Sequence, residues 1–187
     1  MGLSSFAFDR ESANYSRDAL ERLLDTLAAN PNVKEINILA HSMGNWVTLE
    51  ALRGKAIGGG GKIGSKVRNV FLVAPDVDVD VFRTQIRRMG SSRPRFALFV
   101  SQDDNALSLS QFIWGAPRIG DIDPEKEPYR DILAQESITV FDLTKLEGNA
   151  HSRAFDDITQ VVVMVREQLN EGPVVTSGRK IAGAGVR

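Results

Sequence analysis

A serine at the end of an apolar run, two imidazoles and a few aspartates are the residues of this chain whose types and spacing could do covalent chemistry. His41 and His151 are the only histidines and there is no cysteine. A nucleophile must therefore be a hydroxyl, and a base working near neutral pH must be one of the two imidazoles. In Ile38-Leu39-Ala40-His41-Ser42-Met43-Gly44 an apolar segment ends in small-His-Ser-x-Gly and a helix-forming segment follows at once. This is the pattern of a nucleophile elbow, a strained strand-to-helix turn that leaves the serine hydroxyl exposed at the end of a sheet. Close passage of the strand and the helix calls for small residues two before and two after the serine. Ala40 and Gly44 meet that need, with Ala40 in place of the glycine of the commoner Gly-x-Ser-x-Gly form. The backbone N–H of Met43 opens the helix and could donate to an oxyanion.

Ser42 needs a base. His41 adjoins it on the elbow and should point away from the exposed side of the serine, which suits packing or hydrogen bonding better than proton transfer. His151 is left as the base by elimination. It lies in LEGNAHSRAF, between a strand pattern and the last helix, at the carboxyl end of a strand where open α/β sheets gather their active groups. An acid must then orient the imidazole and stabilise its charged form. In LFVSQDDNALSLS, Asp103 and Asp104 stand just past a strand and either could reach His151, or serve only as the cap of the helix that follows. Asp76, Asp78 and Asp80 form another acidic group, but they lack the glycine and distal glutamate of a calcium loop and read as solvated caps.

The elements that must position these groups follow from periodicity. Leu20, Leu23, Leu24 and Leu27 recur at helical spacing, with Asp9 or Ser16 as the expected cap and Asn30-Pro31 as the stop, which predicts an amphipathic helix of about 15 to 20 residues. Apolar runs predict a buried strand over 35–40 and further strands over 70–74, 96–101 and 138–142. Helices are expected over 43–53, 80–89, 106–114 and 152–169, the last carrying Phe155, Ile158, Val162, Val165 and Leu169 on one stripe. Strands alternating with helices argue for an α/β fold with a mostly parallel sheet of about four recognisable strands. The glycines at 58–61 and 64 make a surface loop. As a phosphate loop it fails, since Ala56 stands where Gly is required before Gly61-Lys62 and Ile63 where Ser or Thr should follow. Residues 1–170 read as one domain and 171–187, without periodicity, as a disordered tail.

Composition narrows the class of function. The 187 residues are 42% hydrophobic and 25% charged with a net charge of -1, enough for one core and too balanced to attract nucleic acid. The absence of cysteine excludes thiolate chemistry and cysteine-held zinc, and two histidines make a structural zinc site improbable. No membrane span or signal peptide is visible, leaving the cytoplasm as the default expectation. Trp46, Phe112, Ile113 and Trp114 could line an acyl pocket, although aromatic residues on such helices are more often core.

The order Ser42, then an aspartate, then His151 is the chain order of α/β-hydrolases. With YSRDALERLL, INILAHSMGNWVTLEAL, FLVAPDVDVDVF and FVSQDDNALSLSQFIWG, the chain resembles the α/β-hydrolase superfamily and, more narrowly, a largely bacterial group of α/β-hydrolases of unknown function. The likeness runs from Asp9 to Leu169. It implies a three-layer α/β/α fold and serine-dependent hydrolysis of an ester or related acyl bond in a small substrate, with no metal or organic cofactor. It also favours Asp104 over Asp103, because Ser101-Gln102-Asp103-Asp104 fits the family's frame of a small residue, two variable residues and the acid. Such hydrolases carry several strands before the elbow and a second oxyanion donor on an earlier loop. The short leader before Ser42 therefore gives the expectation of a truncated α/β-hydrolase fold, with an exposed sheet edge that invites self-association. A catalytically silent fragment acting as an interaction module is the competing expectation.

Overall fold

The computed structural model describes residues 3–61, 63–102 and 116–144, together with Val163, Val165 and Arg166. The expected helix over 106–114, most of that over 152–169 and the tail from 171 lie outside the described residues.

The chain opens with α1 (Leu3–Ala29), 27 residues long. This is longer than the periodicity predicts, and neither Asp9 nor Ser16 caps it. No proline or glycine stands between Leu3 and Ala29 to break the helix, and its own propensity carries it back through the polar residues. Asn30-Pro31 stops it as expected, and the Asn30 side chain accepts a hydrogen bond from the Asn32 N–H at 2.9 Å. There follow β1 (Ile36–His41), α2 (Gly44–Gly58), β2 (Val67–Val73), α3 (Val79–Met89), β3 (Arg95–Val100), α4 (Tyr129–Gln135) and β4 (Thr139–Asp142). The Asp78 carboxylate caps α3 by accepting from the N–H groups of Asp80 and Val81 at 2.9 and 3.0 Å. Gly90 closes the helix at φ 73°, a left-handed conformation in which a side chain is strained.

The four strands form one parallel sheet in the order β1-β2-β3-β4. A sheet that steps in one direction through right-handed crossovers carries its connecting helices on one face. That face holds the larger core, in which Leu24 of α1, Leu49 and Leu52 of α2, Phe82 and Ile86 of α3 and Ile132 of α4 meet Val70, Leu72, Leu98 and Val140 of the strands. The opposite face gathers Phe71, Val73, Ala97, Phe99, Phe141 and Leu143, against which Val165 packs from the late helical segment. Phe99 and Phe141 stack with ring centroids 4.7 Å apart. Helices on both faces make the three-layer α/β fold expected from the sequence.

β2 and β3 are buried on both faces over 70–73 and 96–100, the parts that read as continuous apolar runs. β1, expected to be a buried strand, is not. Only Ile36 and Ala40 are buried, whereas Leu39 is 48% exposed, because among the described residues β1 pairs with β2 alone and has helices over one face. The polar ties of the sheet lie at its two ends. Where the strands begin, the buried Glu136 accepts from Arg87 Nε at 2.7 Å and, through its carbonyl, from Arg93 Nη2 at 2.6 Å, joining the end of α3 to the end of α4. Gly58, Gly60 and Gly61 lie at this end too, since α2 starts beside Ser42 and its 15 residues run about 22 Å at 1.5 Å per residue. The glycine loop is thus remote from the serine.

Candidate active site

Ser42 is the first residue past β1 and has φ 50°. A side-chain-bearing residue in this left-handed region is strained by about 1–3 kcal/mol and persists only where its surroundings over-determine it. Met43 is already right-handed helical at φ -64°, ψ -22°, so the whole turn from strand to helix is made at the serine. The Ser42 N–H donates to the Val73 carbonyl at 3.0 Å, extending the β1–β2 ladder by one residue, and the Ser42 carbonyl accepts the Asn45 N–H at 3.1 Å. Among the described residues no side chain caps α2, and with the Asn45 and Trp46 N–H groups taken by the Ser42 and Met43 carbonyls, it is the N–H groups of Met43 and Gly44 that could meet an anion. Pleat alternation sets His41 on the face opposite Ala40, in register with Val73. The small-residue requirement holds on one side of the serine and not on the other. Ala40 is buried, but a Cβ added at Gly44 meets nothing within 4 Å, since α2 leaves the sheet there without crowding any described neighbour.

The strongest tie on the elbow is one that sequence reading passes over. Asn45 is fully buried, and its Nδ2 donates both to the Ser42 carbonyl at 2.8 Å and to the Val73 carbonyl at 2.9 Å. A polar residue in a first helical turn ordinarily reads as solvated. Only the approach of β2 shows otherwise. The neighbouring strand ends in the same strained way, as Ala74, directly after β2, has φ 43° and donates its N–H to the Phe99 carbonyl at 3.0 Å.

Beyond Ala74 the acidic group divides. Asp78 is the cap of α3, in line with the sequence reading, but Asp76 is not a solvated cap. Its carboxylate lies 3.2 Å from Arg118 Nε, with both side chains nearly buried. Arg118 belongs to a strap, 117–120, that crosses the carboxyl ends of β2 and β3 through Ile119 N–H to Val77 O at 2.8 Å, Gly120 N–H to Pro75 O at 3.1 Å and Ser101 N–H to Gly120 O at 2.9 Å. Nothing in the pattern of Ala-Pro-Arg-Ile-Gly announces this strap, because its bonds are all non-local. Burial drives Asp76 and Arg118 together, since either charge alone there would be costly.

Residues 3–167 match a family described as α/β-hydrolases of unknown function, DUF900. The chain belongs to this family. The match spans nearly the whole sequence and bears out the resemblance drawn from the elbow and its flanking segments. Searches of curated proteins and of solved structures each found no match.

In this DUF900 chain the ends of β3 and β4 are clasped together. The Thr144 hydroxyl donates to Asp142 Oδ1 at 2.5 Å and accepts the Gln102 N–H at 3.1 Å, while the Leu143 N–H donates to the Val100 carbonyl at 2.8 Å. Gln102 immediately precedes Asp103 and Asp104, and Thr144 begins the segment that leads to His151. Those three residues themselves lie outside the described residues. Trp46 packs against the larger core, while Phe112, Ile113 and Trp114 lie outside the described residues. Among the described residues no group of three or more His, Cys, Asp or Glu side chains could hold a metal ion, and no helix is long and apolar enough to cross a membrane.

Proposed function

We propose that this α/β-hydrolase is a serine hydrolase acting on an ester or related acyl bond of a small substrate, with Ser42 as nucleophile, His151 as base and Asp104 as the acid that holds the imidazole. The observation that carries the reading is the left-handed Ser42, φ 50°, held between β1 and the uncapped start of α2. A strained serine at a strand-to-helix turn, with helix amides beside it, suits attack on a carbonyl and stabilisation of the oxyanion that forms. Further support comes from the Gln102–Thr144 tie, which joins the roots of the segments bearing Asp104 and His151.

In this mechanism His151 takes the Ser42 hydroxyl proton as the oxygen attacks the acyl carbonyl, and the Met43 N–H donates to the carbonyl oxygen as it gains charge. Collapse expels the alcohol, which receives the proton from His151, and leaves an acyl group on Ser42. Water, deprotonated by His151, then attacks the acyl carbonyl, and collapse breaks the bond to Ser42 Oγ and releases the acid as His151 returns the proton to that oxygen. A fluorophosphonate probe tests the proposal. Labelling of Ser42 that disappears in Ser42→Ala is the expected result, and absence of labelling in folded wild-type protein would reject it in favour of a catalytically silent interaction module.

A further inference from the structure

We infer that Asn45 is a positioning residue for Ser42, an inference that rests on the serine-hydrolase reading above. The Ser42 carbonyl already accepts the Asn45 N–H at 3.1 Å and the Val73 carbonyl already accepts the Ser42 N–H at 3.0 Å. Neither carbonyl needs the Asn45 side chain for its backbone hydrogen bonding. What Asn45 Nδ2 adds, through bonds of 2.8 and 2.9 Å, is a closed ring: Ser42 N–H to Val73 O, Val73 O to Asn45 Nδ2, Asn45 Nδ2 to Ser42 O, and Ser42 O to Asn45 N–H. The two backbone polar groups of the strained serine are thereby fixed to one side chain and one strand end. Free rotation of the peptide between Ser42 and Met43, which would swing the Met43 N–H, is blocked.

The amide is retained at a cost. Asn45 Oδ1 is buried without a hydrogen-bond partner among the described residues, and an orphaned buried acceptor is destabilising. Turning the amide over would set Oδ1 against two carbonyl oxygens, so the donor orientation is the one the surroundings dictate. An apolar residue would avoid the orphan and would leave both carbonyls with a backbone partner. Stability alone does not call for asparagine here, whereas holding Ser42 and the Met43 N–H in register with a substrate carbonyl does.

The test compares wild type, Asn45→Ala, Asn45→Ser and a core control, Leu52→Ala, which loses a fully buried side chain of the same helix without touching the elbow. Each is measured below its melting transition and corrected for folded fraction, by the rate of fluorophosphonate labelling and by turnover of a short-chain nitrophenyl ester. Asn45→Ala is expected to label and turn over at least about tenfold more slowly with KM little changed, as misplacing a reacting group by a fraction of an ångström does. Asn45→Ser, able to reach one carbonyl, should fall between it and wild type, and Leu52→Ala should stay within about twofold. Amide exchange should rise at Ser42 and Met43 in Asn45→Ala but not in the later turns of α2. Equal labelling rates for wild type and the Asn45 variants, or equal losses in Asn45→Ala and Leu52→Ala, would overturn the inference. A folded wild type that does not label sinks the serine-hydrolase reading, and the inference with it, in an arm that involves no Asn45 variant.

Discussion

Substituting Ser42 by alanine and by glycine separates the chemistry of the hydroxyl from the strain of the backbone that carries it. Both variants remove the nucleophile and both should abolish labelling and turnover. They differ in what φ 50° costs them. Alanine keeps a Cβ and therefore keeps the left-handed penalty, about 1–2 kcal/mol. Glycine sheds that penalty but makes the unfolded chain more flexible, at a cost of about 0.4–1 kcal/mol. The difference leaves Ser42→Gly more stable than Ser42→Ala by roughly 1 kcal/mol. In a domain of this size that is about 2–4 °C in Tm. Differential scanning calorimetry on the two variants under one buffer condition measures it, with urea midpoints as a second reading. The hydrogen bonds of the elbow are made by the backbone of residue 42 and by the Asn45 side chain, so neither substitution removes them. Should the glycine variant melt at or below the alanine variant, the serine is not held in a strained conformation and the argument that links φ at Ser42 to nucleophile presentation fails.

Other substitutions separate the remaining parts of the site. Asp104→Asn should slow turnover by on the order of 10³–10⁴-fold, as losing the acid of a triad does, whereas Asp103→Asn should stay within a few-fold; the reverse ranking in steady-state kinetics would make Asp103 the acid. Thr144→Val removes the hydroxyl that joins Gln102 to Asp142 and should cost about 1–3 kcal/mol in urea unfolding, with turnover lost beyond what the folded fraction explains. Arg118→Met removes the guanidinium that faces the nearly buried Asp76 carboxylate and should destabilise by up to about 3–5 kcal/mol, most of it recovered in the Asp76→Asn, Arg118→Met double variant. Asp78→Ala, which uncaps α3, should lower stability by about 1 kcal/mol and leave turnover unchanged.

The strands were legible in the sequence wherever apolar side chains face both layers of the sheet. β3 and β4 begin and end within a residue or so of the apolar runs that predict them. β2 starts three residues earlier than expected, at Val67, because Arg68 and Asn69 interrupt the run. The sheet tolerates the buried Asn69 only because its Nδ2 donates to Asn37 Oδ1 on β1 at 2.6 Å, and such a cross-strand bond has no local signature. α4 escaped notice for another reason: seven residues give barely two turns, too short for periodicity to register. At the site, the strand-to-helix turn at Ser42 was legible because it is local, with strand, serine and helix consecutive in the chain. Asn45, the Asp76–Arg118 pair and the Thr144 clasp were not, since each acts through a neighbour at least 28 residues away or across an irregular segment.

The two strained strand ends are held by different means, and the difference bears on which of them can act on a substrate. Ser42 and Ala74 are both left-handed, and each donates its N–H into the next strand at 3.0 Å. One hydrogen bond contributes about 0.5–1.5 kcal/mol net, which offsets at most the lower part of the strain at either residue. At Ala74 the rest is supplied by backbone: Pro75 accepts from Gly120, Val77 accepts from Ile119, and the strap covers the turn, leaving Ala74 buried. At Ser42 no strap crosses the turn among the described residues, and the serine is only half-buried. There the holding is done from beneath by the Asn45 side chain, reaching up from the first turn of α2 to both carbonyls. A backbone strap over Ser42 would secure the conformation equally well but would close the face from which, in the proposed mechanism, a carbonyl approaches. Clamping through a buried side chain secures the strained residue without itself covering that face, a combination that a purely structural turn has no need of.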